Sequence, residues 1–510
     1  MPRKRLLPLF VCLAATAATV ATVANTAAQR PETFEDKVFV REVELVFEAP
    51  ELTLLHPFPP DEDDLLVIED GLARPVIKAG SIDDPTTRTE LRKEGFDVAP
   101  WNAVVWVDET LAQPETVFVA TLALAQQASS LTELGNVEVV VAGPEPEIEV
   151  AATRETRRLE QVLADLAGKA RVERDRASSR PWEHSGVSSR SDTSTLRRQL
   201  DRLLVHLAGK RDPGPRLLFL VADGFVVTPH ESRVFETGTA DPAAGERAAV
   251  IHDAARLLAA YGWVTVALPL RKEGPGEEHR GSSDVDRFRA NTGNWGGTSN
   301  SVPPVMAPSR PRDSNLNWER ALRALVQPDL SPLRALADMT AGTLIAQDAL
   351  LPSALSKLGE RWHLYYQTQM PMDGQLRTVE VRLRNGATLR SRRWVRSSTP
   401  EGLTDARLRL LLGGEHLPES LPLTVEPVAG GLKLTVAPFS SPDPVTPGPV
   451  RISLSCAGAV RHETAPGIDA PEKGWSHTIA TACPASSGAA ILVEDLARER
   501  WRAVRIDYSK

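Results

Sequence analysis

The sequence predicts an α/β fold with a doubly wound, mostly parallel sheet, flanked by a small N-terminal β module and a C-terminal β-sandwich-like domain. Two observations carry this prediction. Residues 104–107 and 217–221 are apolar runs that lead into an aspartate, a pattern typical of strands buried on both faces of a parallel sheet. Between residues 98 and 368 such runs alternate with segments of helical apolar period, which favours helices on both faces of that sheet.

Composition limits the classes of function. The chain has 510 residues, a formal net charge of −8 and a hydrophobic fraction of 42%, which are ordinary globular values. Its length allows about two to four domains. Because a nucleic-acid-binding protein needs a basic face and none is evident here, we expect no nucleic-acid partner.

The N-terminus predicts export. Arg3, Lys4 and Arg5 form a basic start, residues 6–23 are apolar and rich in Ala and Thr, and small residues follow up to Ala28. This is the pattern of a cleaved signal peptide over residues 1–28, which predicts a periplasmic or secreted protein. The alternative is an uncleaved segment that anchors the chain, and only in that case do we expect a membrane contact.

Residues 36–95 are predicted to form the small N-terminal β module. Apolar strand-like runs lie at 38–40, 43–47, 65–68 and 75–77. Asp70 and Gly71 stand between two of these runs, and Asp-Gly indicates a hairpin because glycine accepts a positive φ.

The αβ region spans residues 98–368, and each of its elements follows from apolar periodicity. We place strands at 103–107, 137–141, 217–221 and 264–268, and helices at 114–131, 156–166, 195–207, 245–261, 318–325, 331–340 and 351–366. Two insertions, 169–191 and 271–317, lack an apolar period and are predicted to be long surface loops.

The C-terminal part is predicted to be β-rich. Residues 369–400 form a hairpin extension around Asn385 and Gly386, and residues 401–510 alternate short apolar runs with Pro/Gly turns. Cys456 and Cys483 lie in this part. In an oxidising compartment they would form a disulfide, and the alternative is two buried free thiols.

Two aspartates mark a candidate site. Asp108 follows the first strand of the αβ region, and Asp223 follows the strand at 217–221. Open α/β sheets bind ligands at the carboxyl ends of their strands, so we expect both side chains at one edge of the sheet.

Several short motifs, taken in order, resemble a known family. They are Glu69-Asp70-Gly71 after a strand, Val105-Trp106-Val107-Asp108, Ala222-Asp223-Gly224, Thr340-Ala341-Gly342 at the end of a helix, and Tyr365-Tyr366 followed by Asp373-Gly374 and Arg377. Over residues 36–400 the chain resembles the von Willebrand factor A (VWFA) domain proteins of the bacterial secreted, VWFA-related type. The resemblance implies a von Willebrand A-like domain at 98–368.

The resemblance also implies a divalent metal site that accepts a carboxylate from a partner protein. Asp108, Thr110 and Asp223 match its ligand positions and would hold Mg²⁺ or Mn²⁺ through oxygen atoms. Ala112 stands where the family has a hydroxyl, and the middle threonine has no clear counterpart, with Thr193 or Thr195 as candidates. The site is therefore degenerate, and the alternatives are a weakened metal site and a vestigial one.

The sequence therefore predicts an exported, non-catalytic protein of adhesion or scaffold type that binds another protein. It contains no Gly-x-Ser-x-Gly, His-Glu-x-x-His or Cys-x-x-Cys motif, so we expect no enzyme. The alternatives are an envelope hydrolase with an unrecognised site, in the insertions or the C-terminal module, and a structural envelope component.

Overall fold

The computed structural model describes residues 41–48, 64–82, 89, 93, 100–143, 146–178, 193–210, 214–223, 242–270, 330–417, 420–440, 448–456, 459–480 and 489–506. The predicted signal peptide, the insertion at 271–317, the predicted helix at 318–325 and Cys483 lie outside these residues. No helix in the described ranges combines the length and the apolar character needed to span a membrane.

The strands are β1 (Arg41–Glu48), β2 (Leu65–Glu69), β3 (Leu72–Arg74), β4 (Val76–Ser81), β5 (Trp101–Asp108), β6 (Gly135–Ala142), β7 (Pro146–Thr153), β8 (Arg216–Val221), β9 (Trp263–Ala267), β10 (Thr343–Leu344), β11 (Trp362–Thr368), β12 (Leu376–Leu383), β13 (Thr388–Ser391), β14 (Trp394–Arg396), β15 (Leu423–Val428), β16 (Gly431–Val436), β17 (Val450–Cys456), β18 (Ala459–Ala465), β19 (Trp475–Ala480), β20 (Ala489–Asp495) and β21 (Arg500–Ile506). The helices are α1 (Pro114–Gln126), α2 (Ala128–Leu134), α3 (Thr156–Ser178), α4 (Thr193–Ala208), α5 (Pro242–Ala260), α6 (Ser331–Met339), α7 (Leu351–Gly359) and α8 (Glu401–Leu412).

The largest sheet has eight strands and is antiparallel throughout. Its order is β3-β2-β12-β13-β1-β11-β4, with β14 added on β12. The two ends of this order, β3 and β4, are joined in the chain by Pro75 alone, so the sheet is a nearly closed, barrel-like structure. Buried Glu69 holds it together, because its carboxylate accepts hydrogen bonds from Tyr366 at 2.9 Å, Thr368 at 2.8 Å and Arg74 at 2.8 Å.

A second sheet has the order β10-β9-β8-β5-β6-β7. Its neighbours from β10 to β6 are parallel, and the edge strand β7 is antiparallel to β6. Two antiparallel sheets complete the described chain, β15-β16-β19 and β18-β17-β20-β21.

The predicted fold class, a doubly wound, mostly parallel α/β sheet, is wrong. The described chain is mostly β, with 21 strands against eight helices, and three of its four sheets are wholly antiparallel. The parallel pairs are confined to one mixed sheet. Apolar periodicity reports single elements, whereas the class depends on pairings such as that of β1 with β11, which lie far apart in the chain.

Several elements also differ from the sequence prediction. The predicted helix at 114–131 is divided at Gln127 into α1 and α2, and β7 was not predicted. The predicted helix at 351–366 ends at Gly359, and β11 begins at Trp362. Helix α3 continues to Ser178, so the first part of the predicted loop at 169–191 is helical. Helix α8 stands at the start of the region predicted to be β-rich.

The mixed sheet is covered on both faces, which fixes the position of the candidate site. Val105 and Val107 of β5 belong to a core layer with α1, α3 and α7. Val104 and Trp106 face the other way, into a layer with α4, α5, α6 and α8. Because β5 is central and buried on both faces, its last residue, Asp108, is held firmly at the carboxyl edge of the sheet.

Candidate functional site

Asp108 shapes the loop at the carboxyl end of β5. Its side chain is only 1% exposed, and its Oδ1 accepts the backbone N–H groups of Thr110 and Leu111 at 3.0 Å each. Its backbone carbonyl accepts the N–H of Ala112 at 2.8 Å. These bonds fold residues 109–113, here called the edge loop, into a tight turn before α1.

Asp223 holds the other end of the edge loop. It lies two residues beyond β8 and is 1% exposed. Its carboxylate accepts the backbone N–H of Gln113 and the hydroxyl of Thr116, and its own N–H donates to the carbonyl of Leu111 at 3.2 Å. Gln113 is the N-cap of α1 and makes no side-chain capping bond, so a carboxylate from the neighbouring strand supplies the cap.

Thr110 is exposed, and a residue of α4 holds its side chain in place. Its hydroxyl accepts a hydrogen bond from the side-chain amide of Gln199 at 2.9 Å. Thr193 and Thr195, the candidates for the middle threonine, lie in the first turn of α4. The structure therefore brings Asp108, Thr110 and Asp223 to one loop, as expected for strand-end residues of neighbouring parallel strands.

Thr116 and Gln199 were missed by the sequence prediction. Pro114 at the start of α1 was the available signal for Thr116, because a residue two places after an N-terminal proline lies in the first turn, near the cap. Gln199 carries no such signal, since its contact depends on how α4 packs against the sheet.

Burial perturbs the electrostatics of Asp108. Desolvation raises the pKa of its carboxyl from 3.8 to about 6, against the lowering effect of the Leu111 and Thr110 N–H groups, the Trp106 indole and the Arg202 charge. Arg202 compensates only in part, because its guanidinium is bound to Glu415 at 2.6 Å. Asp108 is therefore a buried acid without a dedicated counter-ion.

The contacts do not fit a hard divalent cation. Such an ion needs several oxygen lone pairs that converge on one point. Here Asp108 Oδ1, both oxygens of Asp223 and the Thr110 hydroxyl accept hydrogen bonds that shape the loop. The described residues also contain no group of three or more His, Cys, Asp or Glu side chains that could hold a metal. The arrangement therefore supports no metal-dependent step.

Replacing Asp108 by asparagine should raise the free energy of unfolding at pH 7 by about 2–3 kcal/mol. The folded protein holds the Asp108 proton up to a pKa of about 6, so the stabilising neutral form is lost as the pH rises through 6. Asparagine stays neutral and keeps the acceptor for the N–H groups of Thr110 and Leu111. Urea unfolding between pH 4 and pH 8 measures the difference, which should vanish near pH 4. Equal stability at pH 7 would contradict the argument.

Cys456 is the one predicted disulfide residue within the described chain. It is the last residue of β17 and is disulfide-bonded. The pairing with Cys483 stays a prediction, because Cys483 lies outside the described residues.

Family membership has no support beyond the chain's own motifs. The quoted residues do end structural elements, since Glu69 ends β2, Asp108 ends β5 and Thr340 follows α6. No protein-family model matches the chain, and no curated protein matches it either.

Proposed function

We propose that this chain is an exported, non-catalytic protein-binding protein, akin to the VWFA-related proteins, and that its partner contacts the edge loop. The observation that carries the proposal is the geometry at Asp108, a buried carboxylate whose Oδ1 fixes the edge loop through the N–H groups of Thr110 and Leu111. An acid with a pKa of about 6 inside the protein destabilises the folded state at neutral pH. Buried acids with a raised pKa are enriched at functional sites, which supports a functional role for this edge of the sheet.

The edge loop is built as a rigid polar surface. Glu109, Thr110 and Gln113 are exposed, while Asp108 and Asp223 beneath them fix the backbone at both ends. A surface that is already ordered loses little conformational entropy on binding. Asp108 Oδ1, both oxygens of Asp223 and the Thr110 hydroxyl accept hydrogen bonds that shape the loop, so the contact we propose is a direct one without a metal.

One observation favours the alternative of a hydrolase. Ser453 Oγ lies 2.8 Å from His462 Nδ1, and His462 Nε2 lies 3.7 Å from Asp405 Oδ1. This order of groups is that of a serine nucleophile with its base and an orienting acid. Ser453 is 0% exposed, however, and a nucleophile has to reach its substrate. The burial of Ser453 supports the non-catalytic proposal.

The proposed function is tested by affinity capture from the native envelope with the mature chain as bait. We expect Glu109→Lys to reduce recovery of the partner at least about tenfold, because it reverses a charge in the contact surface; a like-charge contact is worth about 1.4 kcal/mol or more. Glu147→Lys on the exposed part of β7 makes the same charge change away from the loop and serves as the control.

A chelator should leave the recovery unchanged, because no ion is needed for the contact. Equal recovery by wild type and Glu109→Lys would refute the edge loop as the contact surface. A partner that is lost only on chelation would instead point to a metal-dependent contact.

A further inference from the structure

A second surface feature lies away from the edge loop. A groove of about 510 Å³ runs between α4, α5 and the first turns of α8. Its floor consists of Leu200 and Leu204 from α4 and Val250, Ala254 and Leu257 from α5, each at most 8% exposed, and charged side chains form its rim. Its volume lies in the range of protein pockets that take small ligands or single side chains, about 300–1,000 Å³.

The three arginines on the rim of the groove already have partners, and one of them, Arg197, pairs with Glu246 at 3.7 Å. Arg409 donates two hydrogen bonds of 2.8 Å to the buried carboxylate of Asp201. The guanidinium of Arg256 lies 4.4 Å from the centre of the Trp394 ring. These arginines are held in place as parts of the wall, so they offer little to an anionic ligand.

The two carboxylates at the α8 end of the groove, by contrast, accept no hydrogen bond from any basic side chain that the structure describes. Glu401 is exposed in the first turn of α8, and Asp405 lies one turn later on the same helix face. Within the described chain Glu401 forms no ion pair, and the buried Oδ1 of Asp405 has no hydrogen-bond partner. His462 Nε2 lies 3.7 Å from Asp405 Oδ1, beyond hydrogen-bond distance.

The environment of Asp405 disfavours its negative charge. Burial raises the pKa of Asp405, and the negative charge of Glu401 raises it further, against the lowering effect of His462 and Arg409. Asp253, which is exposed on α5, brings a third carboxylate to the rim, where it pairs with Arg256 at 3.9 Å, so the excess of negative charge lies with Glu401 and Asp405. A cation placed between Glu401 and Asp405 would relieve this unbalanced negative charge.

We propose that this groove binds an arginine side chain within an apolar peptide segment of a partner protein, with the guanidinium between Glu401 and Asp405. A guanidinium has a planar array of N–H donors and can bond two carboxylates at once. The aliphatic part of the side chain and the neighbouring apolar residues cover the leucine floor, as long basic side chains do on apolar surfaces. The groove is separate from the edge loop, and this proposal does not rest on the one made for that loop.

The test uses the full mature chain and two labelled peptides, acetyl-Leu-Arg-Leu-amide and its neutral isostere acetyl-Leu-citrulline-Leu-amide, with binding measured by fluorescence anisotropy. We expect the arginine peptide to bind at least about tenfold more tightly, because a charge-assisted hydrogen bond contributes about 1.5–3 kcal/mol. Glu401→Gln should weaken it several-fold, and the double variant Glu401→Gln, Asp405→Asn at least about tenfold.

A matched control separates the groove from the general acidity of the protein. Glu147→Gln with Glu160→Gln removes the same two charges from exposed positions on β7 and α3, and it should leave the affinity within about twofold. Glu401 is exposed, so its single variant tests the groove even if the double variant fails to fold. Equal binding of the two peptides, equal loss in the control, or no binding at millimolar peptide would each overturn the proposal.

Discussion

Replacing Glu494 by glutamine should lower the free energy of unfolding by about 3–5 kcal/mol. Glu494 is 1% exposed and accepts hydrogen bonds from Arg407 at 2.7 Å and from the Thr404 hydroxyl at 2.6 Å. A second guanidinium, that of Arg451, lies 3.7 Å away. Both arginine side chains are at most 6% exposed, so neutralising Glu494 leaves two buried cations without their counter-ion.

Urea unfolding at pH 7 measures this effect. Glu380→Gln is the matched control, because Glu380 also pairs with an arginine, Arg382, and with a threonine hydroxyl, but its side chain is 34% exposed. Solvent screens such a pair, and the control should lose no more than about 1 kcal/mol. If the two variants lose the same free energy of unfolding, burial of the Glu494 cluster contributes nothing to stability.

The size of the Glu494 effect matters because α8 joins separate parts of the chain. The cluster ties α8 to β20 and β17 of the four-stranded sheet. On its other side α8 packs in the core layer of the mixed sheet, and Arg409 bonds Asp201 of α4. Loss of Glu494 should therefore also disturb the groove, whose end is formed by the first turns of α8.

The sequence predicted individual elements better than their assembly. The apolar runs at 104–107 and 217–221 lie in β5 and β8, because burial on both faces of a sheet requires continuous apolar residues. The pairing of Arg41 with Thr368, which joins β1 to β11, left no periodic trace in either segment. Helix α8 was missed because its apolar residues face both α4 and β20, which blurs a one-sided helical pattern.

At the candidate site, too, the sequence predicted which residues lie near each other but not what they contact. Strand ends were sufficient to predict that Asp108 and Asp223 meet at one edge of a sheet. What each carboxylate does there depends on the path of the edge loop, which presents N–H groups to Asp108 and the N-cap of α1 to Asp223. Loop geometry of this kind is decided by packing, and a motif of oxygen-bearing residues does not encode it.

Replacing Gly342 by alanine should lower the free energy of unfolding by at least about 3 kcal/mol, because the new methyl group has no space. Gly342 lies between α6 and β10 and is buried. A Cβ at this position would overlap the backbone carbonyl of Thr265 in β9 and lie 2.8 Å from the Thr265 nitrogen. Backbone atoms of β9, which is paired on both sides by β10 and β8, cannot move aside as the end of a flexible side chain can.

The matched substitution is Gly168→Ala in the exposed part of α3. A Cβ there meets no atom within 4 Å, and alanine favours the helix, so this variant should gain about 0.5–1 kcal/mol. The thermal and urea unfolding midpoints of the two variants should therefore shift in opposite directions relative to wild type. A loss of less than about 1 kcal/mol in the free energy of unfolding of Gly342→Ala would contradict the close approach of β9 to the end of α6. It would also contradict the parallel pairing of β10 with β9.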